Sequence, residues 1–275
     1  MAKIEIPSGK IIHYVDPYCP WTLCAEPYIR KVEYEYDGMI KVEYRCGVAV
    51  DNIDTWFKET GFTLDSVKSF HKSIIKKSKI PFDEAFIEKT GLKTSLNASK
   101  LYFASKLINE KNSRKFLRLL LDSFVVKSEK ESQELFDRLA KNSNFNYNEL
   151  VNLSSSSSFQ RRFLKEVSSM QVEGATFYNF IFETLNDKIV IDDIFDSNKL
   201  ESIIEENVTG IQKQSVPKVE EYLKDHENEM ISLNELELIT EKSRKDIEND
   251  LEKLRTRYSI TRERVNDYDY IILVK

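Results

Sequence analysis

The chain has 275 residues, of which 41% are hydrophobic and 32% charged, enough length and apolar material for one large or two modest folded domains and too much for a disordered chain. Only 7 glycines and 6 prolines argue against a turn-rich all-β sandwich, and 41 basic against 46 acidic residues, a net charge of −5, argue against a general nucleic-acid binder. The three cysteines cannot build a disulfide framework and suit a reducing compartment.

The first residues, MAKIEIPSGK, hold no apolar run of the kind a secretory leader carries, and nowhere do ~18 apolar residues follow one another. The expectation is a soluble cytoplasmic protein without membrane association. A first strand is predicted over Lys10–Val15, ending at the turn pair Asp16-Pro17. A helix then starts near Cys19-Pro20, where proline's missing N–H is no loss, and runs to Asp37-Gly38 with a kink expected at Pro27. The β-branched and aromatic run Ile40–Val50 predicts a second strand, completing a βαβ unit.

From Asn52 to Met170 the pattern is helical. Leu101, Ala104, Ser105 and Ile108 share one face, as do Phe116, Leu117, Leu120 and Leu121, and then Leu135, Phe136, Leu139 and Ala140. The run Ser154–Ser158 interrupts it as a solvated loop or a helix cap at Ser158. TFYNFIF, from Thr176, then predicts a buried strand, Leu185–Lys188 a turn, Ile189–Ile191 a short strand and Ser197–Asn207 a helix. The order βαβ, helical insertion, ββα describes a thioredoxin fold with a large helical domain spliced into it. After a linker, PKVEEYLKDHENE reads as one helix, Ser232 and Glu235 as a capping box for a second, and Ser243 as the cap of a third with Ile247, Leu251 and Leu254 on its buried face. Strands over Ser259–Glu263 and Tyr268–Val274, around Asn266-Asp267, complete three helices and a hairpin, a winged-helix pattern. The expected domains are therefore 10–51 with 171–207 (thioredoxin-like), 52–170 (inserted helical), 208–216 (linker) and 217–275 (winged-helix-like).

Cys19 is the residue most suggestive of chemistry. In DPYCPW it sits where a strand hands over to a helix, and a helix N-terminus favours negative charge, so its pKa is expected to be lowered and its thiolate available for disulfide exchange. Its partner is misplaced. Position 22 is Thr and the next cysteine is Cys24. Helical residues three apart have Cα atoms ~5 Å apart and residues five apart ~8.6 Å, while bridging fails beyond about 7 Å. A Cys19–Cys24 disulfide would need the first helical turn to open. Cys24 is better read as a small buried hydrophobe, with a catalytic part left open, and Cys46 as core. His13, His71 and His226 are scattered, so no metal site is expected, and the absence of GxGxxG and P-loop motifs leaves no cofactor to predict.

DPYCPW followed by AEP and a long helical insertion resembles the DsbA-like branch of the thioredoxin superfamily, and within it the cytoplasmic FrnE-type proteins with their C-P-W-C motif. Thr22 stands where that motif has its second cysteine. The resemblance also implies a cis-proline before the third strand; in VEGATFYNF, Thr176 holds that position. Pro20, Trp21, Thr22, Ala175 and Thr176 are thereby expected to line a substrate groove beside Cys19. The DP-x-C and EP residues Asp16, Pro17, Cys19, Glu26 and Pro27, together with the C-terminal extension, are similar to the YjbH-type adaptors of Gram-positive bacteria, which present the regulator Spx to the ClpXP protease.

Four functions compete. The changes at positions 22 and 176 favour a binding module that holds a protein partner, such as a transcription regulator or a protease complex, or one limited to single-cysteine exchange. The main alternative is an active thiol-disulfide oxidoreductase or isomerase with Cys19 as nucleophile. A DNA-binding regulator working through the winged helix is disfavoured by 11 basic against 15 acidic residues over Ser215–Lys275, or −4. The kappa-class glutathione transferases and chromene isomerases, also DsbA-like, suggest a glutathione-linked role for Thr22 or Cys19.

Overall fold

The computed structural model describes residues 8–274. The leader reading of the first residues and the final residue of the C-terminal unit fall largely outside them. The central sheet has the order β2-β1-β3-β4, with β1 (Gly9–Val15) parallel to β2 (Ile40–Cys46) and antiparallel to β3 (Phe180–Glu183), which pairs antiparallel with β4 (Lys188–Ile191). Helix α1 (Pro20–Glu35) links the parallel strands and runs as one helix through Pro27.

β2 stops earlier than its sequence suggests. Its continuation turns away because the Ala49 and Val50 N–H groups are taken by side chains, the Asp16 carboxylate at 2.9 Å and Ser95 Oγ at 3.2 Å, and not by a strand. β3 is likewise shorter than TFYNFIF. The Thr176 N–H donates to Asn179 Oδ1 at 2.9 Å, closing a turn, and only Phe180 onward joins the sheet.

Between β2 and β3 lie α2 (Ile53–Thr60), α3 (Leu64–Ser78), α4 (Phe86–Thr90), α5 (Leu96–Ile108), α6 (Glu110–Leu121) with a π-helical turn at Asp122–Val126, α7 (Gln133–Asn142), α8 (Tyr147–Ser154) and α9 (Ser157–Val172). Their starts follow local chemistry. Asn52, Thr63, Asn109, Ser132, Asn146 and Ser156 each accept a first-turn N–H. The serine run is therefore broken by a cap at Ser156, not Ser158. The expected apolar faces are buried except at Ile108, which is exposed because it ends α5 where the chain turns at Asn109 to cap α6.

Helix α10 (Ser197–Asn207) follows β4. The C-terminal residues form α11 (Val219–Asp225), β5 (Ile231–Ser232), α12 (Leu233–Thr240), α13 (Arg244–Arg255), β6 (Ile260–Val265) and β7 (Tyr268–Leu273), with sheet order β5-β7-β6. Tyr222, Leu236, Ile247, Leu251 and Ile271 make their own core. The first of these helices is half the length the sequence suggests. Asn228 takes a left-handed φ of 66° and its N–H donates to the Leu273 carbonyl at 2.9 Å, which swings Glu229 inward.

The expected capping box is only half formed. Ser232 Oγ accepts the Glu235 N–H at 3.1 Å, but the Glu235 carboxylate is withdrawn into a buried ion network. Arg30 pairs there with Glu26 and Glu229, each at 2.8 Å, and Arg118 with Asp122 and Glu235, each at 2.9 Å. The network joins α1, α6 and the C-terminal unit. Burial is the largest single influence on the Glu26 and Glu229 carboxyls and raises them, but Arg30 together with Arg118 and the other polar groups around them outweighs it and holds both below the usual range; for Asp122 burial wins over Arg118, raising it to about 6. Among the described residues no helix is long and apolar enough to cross a membrane.

Candidate functional site

Cys19 is the N-cap of α1, with φ −91° and ψ 115°, and its N–H donates to the Asp16 carbonyl at 3.0 Å. The sequence places it at a helix start as expected, but its setting reverses the expected chemistry. Its side chain is only 4% exposed. Burial, reinforced by the Asp16 carboxylate, pushes its thiol up to about 12, whereas hydrogen bonds from the Thr22 and Trp21 end of the helix pull only weakly the other way. Desolvation of a thiolate outweighs half a helix charge when no cation stands nearby.

Asp16 lies beneath this end of the helix. Its carboxylate is fully buried and accepts from the Tyr18 N–H (2.7 Å), the Ala49 N–H (2.9 Å), the Ser95 hydroxyl (2.6 Å) and the Ser99 hydroxyl (2.9 Å). All four donors are neutral, and burial raises the Asp16 carboxyl despite them. Thr22, at the position of a resolving cysteine, is fully buried and its Oγ1 accepts the Asp16 N–H at 3.2 Å. It braces the strand-to-helix turn and presents no hydroxyl to solvent. Pro20 opens α1, also buried.

Cys24 is buried one turn further on, its thiol directed to the Ile80 carbonyl at 3.9 Å and pushed up to about 12 by burial. It is a core residue, and all three cysteines are free thiols. Cys46 lies in the core between the Gly47 and Ser99 carbonyls.

Of the expected groove residues, Ala175 packs inward against Ile12, Tyr14 and Ile181. Thr176 is half-buried, and its hydroxyl accepts the Tyr178 N–H at 3.3 Å. The peptide bond before Thr176 is trans, like all others among the described residues. Trp21 is half-buried and is the residue that reaches this turn. It lies 5.7 Å from the Tyr178 ring, stacks on Phe195 at 5.3 Å and 3°, and leans on Phe70 at 6.3 Å, with Phe62 stacked beyond at 5.6 Å from Phe70. This aromatic shelf covers the start of α1. Its members Phe62, Phe70, Tyr178 and Phe195 escape a reading that looks for chemistry-bearing motifs. A signal existed at Phe70, which sits exposed on the serine- and lysine-lined face of an amphipathic helix. Among the described residues no group of three or more His, Cys, Asp or Glu could hold a metal ion.

A mixed sheet of order β2-β1-β3-β4, with a cysteine capping the helix after its first strand, defines a thioredoxin-like protein. A thioredoxin family model matches residues 12–179, well over half of the chain, and the chain belongs to that family. Its fold is similar to that of a putative protein disulfide isomerase from Nitrosomonas europaea, at TM-score 0.58 and 16% identity, covering 72% of this chain and 98% of that one. It is also similar to the cytosolic disulfide reductase DsbM from Pseudomonas aeruginosa (TM-score 0.57, 14% identity, 72% and 97% covered). A probable DsbA oxidoreductase from Streptomyces coelicolor follows (TM-score 0.55, 9% identity, 77% and 94% covered). No curated protein matches the chain.

Proposed function

We propose that this protein is a cytoplasmic protein-binding adaptor of the YjbH type, built on a DsbA-like fold whose dithiol chemistry has been abandoned. The observation that carries this reading is the state of Cys19, a buried thiol pushed up to about 12, with Thr22 in the resolving position bonded to backbone. Thiol-disulfide exchange needs an accessible thiolate, and dithiol oxidoreductase chemistry needs a second cysteine as well. In this reading the partner, a regulator of the Spx class, is held by the aromatic shelf around Trp21. The helical insertion and a winged-helix C-terminal domain widen the surface available to the partner and the ClpXP protease.

The charges of the C-terminal unit favour a protein-contact role over DNA. Arg244 pairs with Glu237 at 2.5 Å, Arg255 with Glu252 at 2.5 Å, Arg257 with Glu220 at 2.9 Å and Arg262 with Glu248 at 2.6 Å. Cations already neutralised by neighbouring carboxylates release few counterions from a phosphate backbone.

The test is degradation of purified Spx by ClpXP with and without this protein. Acceleration that survives Cys19→Ser and falls with Trp21→Ala is expected. No acceleration, or reduction of insulin disulfides that Cys19→Ser abolishes, defeats the reading.

A further inference from the structure

Strand β4 is the outer edge of the central sheet, and the hydrogen-bonding parity of that edge can be fixed. The Thr184 N–H donates to the Asp187 carbonyl at 2.9 Å, so these facing residues form a hydrogen-bonded pair. The register then sets Glu183 opposite Lys188, Phe182 opposite Ile189, Ile181 opposite Val190 and Phe180 opposite Ile191. Hydrogen-bonded and non-bonded pairs alternate along an antiparallel ladder. Ile189 and Ile191 therefore direct their backbone groups to β3, while Lys188 and Val190 direct theirs outward, as does Asp192 when the strand is continued by one residue. Side chains follow the same period. Lys188, Val190 and Asp192 share one face, and Ile189 and Ile191 the other, where both pack into the main core.

The outward set is complementary to itself. Lys188–Asp192 reads K-I-V-I-D. An antiparallel copy centred on Val190 sets Val190 against Val190, Ile189 against Ile191 and Lys188 against Asp192, the last pair occurring twice. Every outward backbone group then meets another outward group. A slip of one residue opposes outward groups to ones already spent on β3. Centring on Lys188 or Asp192 places like charges together, and a parallel copy in register does the same. The side chains are available. Val190 is 44% exposed, Lys188 keeps 41% exposure while reaching Glu173 at 3.4 Å and Glu183 at 3.5 Å, and Asp192 is exposed with no ion-pair partner among the described residues. Charges at a sheet edge ordinarily deter pairing. Here one of each sign stands two residues either side of an apolar centre, so only the register centred on Val190 sets opposite charges against each other; centring on Ile189 or Ile191 keeps the outward parity but opposes Lys188 or Asp192 to Val190.

We propose that β4 pairs antiparallel with β4 of a second copy of this chain about a twofold axis at Val190, joining the two central sheets into one. This does not depend on the adaptor reading, because β4 lies outside the aromatic shelf.

Sedimentation equilibrium over a range of concentrations tests it, with a thermal melt to confirm that each variant is folded. The wild type is expected to dimerise reversibly. Lys188→Asp alone and Asp192→Lys alone each turn both cross-strand pairs repulsive and are expected to weaken the dimer by about tenfold. Mixing the two variants sets opposite charges at both pairs again and is expected to restore it. Val190→Pro removes an outward N–H without touching the β3 ladder and is expected to abolish pairing; should it fail to fold, the charge variants decide. A wild type that stays monomeric at every concentration overturns the proposal, and so does a dimer whose strength the charge variants leave unchanged.

Discussion

Arg118 Nη2 lies 2.9 Å from Glu235 Oε2, and neither side chain reaches water. One belongs to α6 and the other to α12, so the contact between these helices is a charge pair in a dry setting. Such a pair adds little over an apolar contact, but half of one is costly, because the remaining charge keeps its desolvation penalty. The Tyr222 hydroxyl also donates to Glu235, at 2.6 Å. Glu235→Gln is expected to lower unfolding free energy by about 3 kcal/mol. The triple change Arg118→Met, Asp122→Asn and Glu235→Leu, which leaves neither carboxylate partner of Arg118 as an unpaired buried charge, is expected to recover most of that loss. Urea denaturation of the wild type and the two variants measures both, and a triple variant no better than Glu235→Gln would show that the ion cluster is not the unit of stability.

His13 points into the core from the middle of β1, its ring edge-on to Phe180 at 5.0 Å, and neither ring nitrogen makes a hydrogen bond. Burial lowers its pKa from 6.5 to about 4. Between those values the unfolded chain binds a proton that the folded chain refuses. Its contribution to stability is therefore full above pH 6.5 and falls as pH drops toward about 4, a loss of about 3 kcal/mol. Phenylalanine fits the same aromatic surroundings without titrating. His13→Phe is expected to be at least as stable at pH 7.5 and to lose less stability by pH 4.5. Equal pH slopes for the two proteins would refute the assignment.

The parts of this molecule that were legible in its sequence are those decided within a few residues. The strand-turn-helix around Cys19, the caps at Ser232 and Ser243 and the turn at Asn266 depend on neighbours close in the chain. The burial of Cys19 does not. Its neighbour Asp16 has a carboxylate held by Ser95 and Ser99, 79 and 83 residues away, partners that the residues around Cys19 do not announce. Glu235 reads locally as a capping residue, yet its carboxylate goes to Arg118, 117 residues away. A local rule forecast the donor and missed the acceptor because a buried arginine outbids a backbone N–H. The trans peptide before Thr176 is the ordinary state of a bond that does not precede proline, and the turn there is closed by Asn179 only three residues on, a local signal masked by the strand-like run TFYNFIF.

Gly47 follows β2 where the chain passes under the 175–179 turn. A Cβ there would meet the Phe177 ring at 2.6 Å, so glycine is required by close approach. Gly47→Ala must push Phe177 and with it Tyr178, which lies 5.7 Å from Trp21. The expected cost is about 1–3 kcal/mol. In a Trp56→Phe background, Trp21 emission is expected to shift to the red as Tyr178 withdraws. A loss of stability with an unchanged spectrum would mean that the turn absorbs the alanine without disturbing the aromatic shelf.

Cys19 supplies the most direct chemical check. With its pKa pushed from 9.0 to about 12, its thiolate fraction near neutral pH falls about a thousandfold below that of an unperturbed cysteine. Burial adds a steric barrier to any reagent. Alkylation by iodoacetamide at pH 7.5, followed by mass spectrometry of the peptides, is therefore expected to leave Cys19, Cys24 and Cys46 unmodified for hours in the folded protein and to label all three within minutes in denaturant. Thr22→Cys restores the spacing of a redox pair but removes the acceptor of the Asp16 N–H and leaves the site closed, so it is expected to gain little insulin-reducing activity. Rapid labelling of Cys19 in the native wild type, faster than that of free cysteine, would instead mean an open and activated thiol, and would return this chain to the enzymes whose fold it shares.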